Sequence, residues 1–254
     1  MSSIQPGSLD ALASRAKIGI IVPATNSVVQ PEMDAMRPRG VTNHVSRMLL
    51  PKRPYDDMKL YRQALENEKG NLEEALNQLS PCEPHVIAHG HSIHSFRGNL
   101  DFAQTEAKRL EDLIGIPFIT PSLAILAGLK AVGNPKRIAV LTPYWPPADS
   151  LIQEFFVSCG YNVVAMHGLK AKGPTAVAQF SSLEIMQGFR TLQTPDVEAF
   201  IHVGTNLAVS FMTPQIEAEF GKPLIGVNTA TYWWALRRIG VKDSLPGFGI
   251  LTEQ

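Results

Sequence analysis

The chain has 254 residues, 44% hydrophobic and 18% charged, with Lys plus Arg and Asp plus Glu equal at 23 each. That balance, without a Lys/Arg run, offers no electrostatic footprint for nucleic acid or an anionic membrane, and no apolar stretch approaches the roughly eighteen residues of a membrane span. Residues 1–16 lack a basic start followed by an apolar run, so a cytoplasmic protein is expected, and the two cysteines, Cys82 and Cys159, fit a reducing compartment and have no metal-ligand spacing.

Apolar runs of strand length alternate with longer segments of helical period, the pattern of parallel βα units. A first strand is expected over 18–22, closed by Pro23, and a second within 41–50. The spacing of Met58, Leu60, Leu65, Leu72, Leu76 and Leu79 predicts a helix over about 56–79 with a solvated outer face. A buried strand at 86–89, a helix at 101–114 and a strand at 117–119 follow, and Pro121 opens a helix over 122–132. The second half reads as strand 138–141, helix 149–158, strand 162–166, helix 182–192 and strand 199–203. Helix 214–220, strand 224–227 and helix 229–239 complete it. Tyr232-Trp233-Trp234 belongs to the core or to a subunit interface, which leaves a homo-oligomer open. Residues 50–57 and 168–181, rich in Pro, Gly and Lys, read as loops, and the tail at 246–251 is expected to pack onto the first unit.

The elements repeat because the sequence does. Lys17-Ile-Gly-Ile-Ile-Val-Pro23 returns as Arg137-Ile-Ala-Val-Leu-Thr-Pro143, and His89-Gly90-His91-Ser92-Ile93 as Val203-Gly204-Thr205-Asn206-Leu207. Gly115-Ile-Pro117, leading to Gly133, returns as Gly221-Lys-Pro223, leading to Gly240. Motifs that recur in order at slowly drifting offsets are the trace of one unit doubled. The expected architecture is α/β: two pseudo-symmetric lobes with mainly parallel sheets and a cleft between them. Residues 1–120 plus 229–254 would form the first lobe and 121–228 the second, in a single compact unit. Ligands of parallel α/β sheets bind beyond the carboxyl ends of the strands, where Pro23-Ala24-Thr25-Asn26, Pro143-Tyr144, Gly90-His91-Ser92 and Gly204-Thr205-Asn206 all fall. Each inner loop pairs a glycine, which permits close backbone approach, with small hydrogen-bonding side chains, and two such loops face to face would cradle a carboxylate.

Val22-Pro23-Ala24-Thr25-Asn26, Thr142-Pro143-Tyr144 and Gly204-Thr205-Asn206 resemble the maleate isomerase motifs of the aspartate/glutamate racemase superfamily. Gly90-His91-Ser92-Ile93-His94-Ser95-Phe96-Arg97-Gly98, residues 214–221 and Pro246-Gly247-Phe248-Gly249 are similar to stretches of bacterial arylmalonate decarboxylase. The resemblance runs in order from about residue 17 to 253 and implies the doubled α/β fold without an organic cofactor. It implies that Asn26 holds a substrate carboxylate, that the Tyr144 hydroxyl contacts it, and that Ser92, with backbone N–H groups near Thr205 and Asn206, forms the oxygen-binding pocket. Racemases and maleate isomerases of the superfamily carry a cysteine on each inner loop, and the decarboxylase keeps the second. This chain has Gly90 and Gly204 there, and neither Cys82, ahead of its strand, nor Cys159, in a helix-to-strand connection, takes their place.

Without those thiols, two-base racemisation and thiolate addition to a double bond are not expected. His89, His91, His94 and His202 remain, and an imidazole titrates near neutrality, so it moves a proton where a thiol would. His91, where the decarboxylase has a threonine, is the first candidate for acid/base work, set against a role in holding its loop. His94 would orient His91, line the cavity or cap a helix; His202, at the end of a buried strand, is a core residue or a second-tier catalyst. His89-x-His91-x-x-His94 also has the make-up of a three-imidazole zinc site, but no acidic residue adjoins it and no metal is assigned. Asn26, Thr205 and Asn206 read alternatively as turn residues, Tyr144 as a cleft wall and Arg97 as an ion-pair partner. The expected activity is that of a cysteine-independent lyase of decarboxylase type, or an isomerase, on a small carboxylate or dicarboxylate. It would pass through an enolate-like intermediate with histidine proton transfer. The alternatives are a hydrolase, ring-opening and metal-assisted in one form, and a carboxylate-binding protein without chemistry.

Overall fold

Residues 9–50 and 68–254 are described by the structure, a computed structural model. The first half runs β1 (Ala16–Pro23), α1 (Val29–Ala35), β2 (Val41–Met48), α2 (Glu68–Leu79), β3 (Val86–His89), α3 (Ser92–Ser95), α4 (Leu100–Ile114), β4 (Phe118–Ile119) and α5 (Pro121–Ala131). The second runs β5 (Arg137–Thr142), α6 (Pro146–Ser158), β6 (Asn162–Gly168), α7 (Ser182–Leu192), β7 (Ala199–His202), α8 (Thr213–Phe220), β8 (Leu224–Gly226) and α9 (Val227–Arg238). Of the helix expected over 56–79, residues 68–79 are helical and the rest lies outside the described residues, as does the loop at 50–57 from residue 51 on. Two short helices, α1 and α3, were not expected. Each starts just after a loop beyond a strand and is too short to show a periodicity.

Strand order states the doubling directly. One sheet runs β2-β1-β3-β4 and the other β6-β5-β7-β8, with every neighbouring pair parallel. Equivalent registers repeat as well: Ile21 lies opposite His89 in the first sheet, and Leu141 opposite His202 in the second.

Both faces of each sheet are covered, which explains why the inner strands are apolar at nearly every position. Alternate residues serve different cores. Ile18, Ile20 and Val22 of β1 and Ile138 and Val140 of β5 enter one central cluster together with α5, α6 and α9. Ile21, Ile87 and Phe118 turn the other way, against Leu72, Leu76 and Leu79 of α2 and Leu110 and Ile114 of α4. Leu141, Phe200 and Leu224 do the same in the second half, against Ile185, Phe189 and Leu192 of α7. Phe96, just after α3, packs edge-to-face on Phe155 of α6, with ring centroids 5.2 Å apart, and so helps join the halves.

The tail touches both halves. The ion pair of Arg15 with Asp243 (2.5 Å) ties the segment before it to the first unit. Residues 250–254 bind α9, whose residues from 229 on fall in the expected first lobe, and α8 of the second: Trp233 Nε1 donates to the Gln254 carbonyl (3.4 Å), the Ile250 N–H donates to Glu217 Oε2 (2.9 Å), and Leu251 enters the central core. Glu217 sets this course, because its other oxygen already accepts the Leu224 N–H (2.9 Å) of β8. No described helix is long and apolar enough to cross a membrane.

Candidate active site at the seam of the two sheets

The loops after β1 and β7 meet edge to edge. Asn26 Oδ1 accepts the N–H groups of Val28 (3.0 Å) and Val29 (2.9 Å) at the start of α1, and its Nδ2 donates to Thr205 Oγ1 (3.3 Å). Asn206 Oδ1 accepts the Ser27 N–H (2.9 Å), while its Nδ2 donates to the Pro174 carbonyl (2.9 Å). Asn26, Thr205 and Asn206 are all buried, so the residues singled out in sequence do come together. Both asparagines use their amides to hold loops, and Asn26 does so by reaching Thr205 across the seam.

The second meeting point joins the loops after β3 and β5. Ser92 Oγ lies 2.9 Å from Tyr144 Oη, both buried. The Tyr144 loop is fixed from below: its N–H donates to Thr142 Oγ1 (3.1 Å), and the Thr142 hydroxyl donates to Asp149 Oδ1 (2.5 Å) at the start of α6. Burial pushes the Asp149 carboxyl up to about 6, against the opposing pull of the Thr142 hydrogen bond and the Lys170 charge. Sequence reasoning missed Asp149.

At Gly90 and Gly204 neighbouring atoms already fill the direction a Cβ would take. A Cβ on Gly90 would stand 2.8 Å from Val22 Cγ1, 3.0 Å from Val29 Cγ1 and 3.1 Å from the Ile21 carbonyl oxygen. A Cβ on Gly204 would run into the Pro143 ring, and its φ of +139° is a conformation that only glycine adopts readily.

The four histidines divide. His89 and His202 occupy equivalent strand-end positions and point to the outer sheet faces, with Ile87 and Phe200 respectively. Burial drives both imidazoles down to about 3, helped for His89 by the nearby His94. Both are therefore neutral at ordinary pH, and Nε2 of each has no hydrogen-bond partner among the described residues. His202 is not part of the constellation at Ser92 and Tyr144: strand alternation turns it to the layer under α7 and α8. His91, in extended conformation just before α3, adjoins Ser92 in the chain, and its ring lies 5.9 Å from that of His89 and 6.4 Å from that of His94. The three line a cavity of about 30 Å³, room for about one water, with Met48, Leu72, Glu73, Glu106 and Arg109, so acidic residues do adjoin the imidazoles, brought there by α2 and α4 from outside the local sequence. Arg97 Nη2 lies 2.9 Å from His94 Nε2. A guanidinium only donates, so His94 accepts there and carries its proton on Nδ1. Among the described residues no His, Cys, Asp or Glu trio is arranged to hold a metal ion.

A buried carboxylate that the sequence did not advertise crosses the seam. Glu32 of α1 accepts the Ser210 N–H (2.8 Å), the Ser210 hydroxyl (2.7 Å) and Asn228 Nδ2 (2.7 Å), and Asn228 Nδ2 also donates to the Thr205 carbonyl (2.9 Å). Burial raises the Glu32 carboxyl above its ordinary range, and these hydrogen bonds oppose the rise. No signal near Glu32 could have found it, because its partners lie 178 and 196 residues away.

The profile of the arylmalonate decarboxylase family matches residues 18–252. Maleate isomerase of Pseudomonas putida is 25% identical over 254 residues, covering 93% of this chain and 97% of that protein. Arylmalonate decarboxylase of Bordetella bronchiseptica is 27% identical over 172 residues, 65% of this chain and 69% of its own. Among solved structures, Nocardia farcinica maleate cis-trans isomerase bound to TRIS superposes with a TM-score of 0.84 at 22% identity, covering 94% of this chain and 98% of that one. At that identity the likeness shows the fold.

Proposed function

The chain belongs to the arylmalonate decarboxylase family, and from that membership we propose that it is a thiol-independent enzyme of decarboxylase or isomerase type, acting on a small carboxylate or dicarboxylate with His91 as proton carrier. Relatives named maleate isomerase and arylmalonate decarboxylase bear the names of dicarboxylate substrates, which supports the substrate class. The observation that carries the reading is the Ser92 Oγ to Tyr144 Oη contact of 2.9 Å, one residue along the chain from His91, at a seam where the space a Cβ would need at Gly90 and Gly204 is already filled.

The chemistry follows from those groups. The Ser92 and Tyr144 hydroxyls turn toward the substrate carboxylate, and Asn26 and Thr205 close the other side. In decarboxylation the bond to the departing carboxylate breaks, and its electron pair spreads onto the retained carboxylate as an enediolate. Protonated His91 then delivers a proton to that carbon. In double-bond migration His91 removes a proton from one carbon, the electron pair left there spreads through the double bond onto the carboxylate as an extended dienediolate, and protonation at the other end of that system completes the shift. Each prearranged donor at the developing charge contributes about 3 kcal/mol in a water-poor site. No step passes through sulfur. His94, with its tautomer fixed by Arg97, is a positioning residue beside His91, and His202 serves packing.

Proton NMR in deuterated water, with arylmalonates, maleate and other small diacids, tests the proposal. Deuterium is expected at the carbon next to a retained carboxylate, with or without loss of carbon dioxide. His91→Asn should lower kcat by about a hundredfold or more while KM moves little. Full turnover in His91→Asn overturns the proton role. Opening of a lactone or cyclic imide without carbon-bound deuterium replaces the reading with hydrolysis.

A further inference from the structure

A groove apart from the seam is built from α5, α9 and the ends of α4 and α6, and encloses about 690 Å³. We propose that it binds a small amphipathic anion, an acid with an aromatic or branched apolar body. None of the residues of the seam lines it, so the proposal is independent of the catalytic reading.

Its floor is apolar and aromatic: Leu123, Leu126 and Ala127 from α5 meet Trp233 and Trp234 from α9. The two indoles stack at 5.6 Å with 27° between their planes, Trp233 buried and Trp234 half-buried, so a flat apolar surface faces the groove. Its rim is cationic. Lys130, Lys136 and Arg238 line it, and no described lining residue bears a carboxylate. Arg238 Nη2 is shared with Glu111 (3.0 Å), whereas Lys130 and Lys136 are exposed and have no salt-bridge partner among the described residues. Lys136 Nζ sits 4.5 Å over the Tyr161 ring, whose hydroxyl donates to Asn134 Oδ1 (2.8 Å), so that corner of the rim is held in place.

An apolar floor under a rim of one sign selects a ligand with both properties. A second copy of the chain is a poor occupant, because a two-fold contact sets each patch against itself and would bring Lys130, Lys136 and Arg238 toward the same cations. The volume suits a ligand of some tens of atoms, since small-molecule sites span roughly 300–1,000 Å³.

The test uses the full chain and 8-anilinonaphthalene-1-sulfonate, an aromatic anion, followed by energy transfer from tryptophan. Saturable binding of one probe per chain is expected, with the uncharged analogue N-phenyl-1-naphthylamine binding at least about tenfold more weakly. The double variant Lys130→Glu/Lys136→Glu, changed only at exposed positions, should weaken sulfonate binding at least about tenfold at an unchanged melting temperature. Equal affinity for the uncharged analogue, or undiminished sulfonate binding in the double variant, overturns the proposal. A dimer in sedimentation equilibrium that excludes the probe, and that Leu123→Glu dissociates, assigns the groove to a second copy and overturns it too.

Discussion

Gly90 and Gly204 stand at equivalent points beyond β3 and β7, and at each the direction a Cβ would take is already filled. The letters were plain in the sequence, and the resemblance made their place on the inner loops informative. The walls were not legible, because Val29 and Pro143 reach them from other parts of the chain. Installing a thiol should therefore harm the protein. Gly90→Cys is expected to lose about 1–3 kcal/mol of stability through overpacking, and Gly204→Cys more, since its backbone must also leave a conformation unfavourable to an L-residue. Chemical denaturation of both variants measures this; a Gly204→Cys protein as stable as the parent would contradict the geometry. The histidines were legible as a group, but their division was not. Which face of a strand His202 occupies depends on register, and the tautomer of His94 depends on where Arg97 points.

Among the elements, the turn from β5 into α6 makes the clearest case for long reach from short sequence. Tyr144 was picked out by its place after a strand, yet Asp149 looked like an ordinary acid in the first turn of a helix, where the helix dipole welcomes it. Tertiary packing buries it under the Tyr144 loop instead, and the consequence is a pH dependence of stability. Its carboxyl titrates near 6 in the folded chain against 3.8 ordinarily, so between those values the folded state holds more protons than the unfolded one. Stability should thus fall as pH rises from about 4 to about 6 and level off above. Asp149→Asn keeps an acceptor for the Thr142 hydroxyl and removes that titration. The slope should flatten in part, because the raised Glu32 carboxyl contributes with the same sign. Denaturant midpoints across this pH range decide the matter, and an unchanged slope in Asp149→Asn would assign the dependence elsewhere.

Over the whole molecule, the halves are joined by polar groups as well as by a shared core. Glu32 from the first half satisfies Ser210 and Asn228 from the second, and Asn228 continues to the Thr205 carbonyl at the seam. Glu32→Ala strands those donors in a dry interior and should cost roughly 2–4 kcal/mol, read by denaturation. It should also reduce turnover, because the Thr205 loop loses its support. A variant of unchanged stability would mean that water replaces the carboxylate. The sequence by itself determined the doubling, the α/β class, most of the strands and helices, and the four loops of the seam, because strand and helix periods and turn residues are local signals. It also named Asn26, Thr205 and Asn206, whose loops the structure brings together, and Ser92 and Tyr144, which it pairs. Only the tertiary structure decided that Asn206 binds loops, that His202 faces away, that the tail lies on α8 and α9, and that Asp149 and Glu32 are buried. Each of those outcomes depends on partners distant along the chain, and burial, which sets charge state and hydrogen-bond demand, belongs to the packed molecule and not to any segment of it.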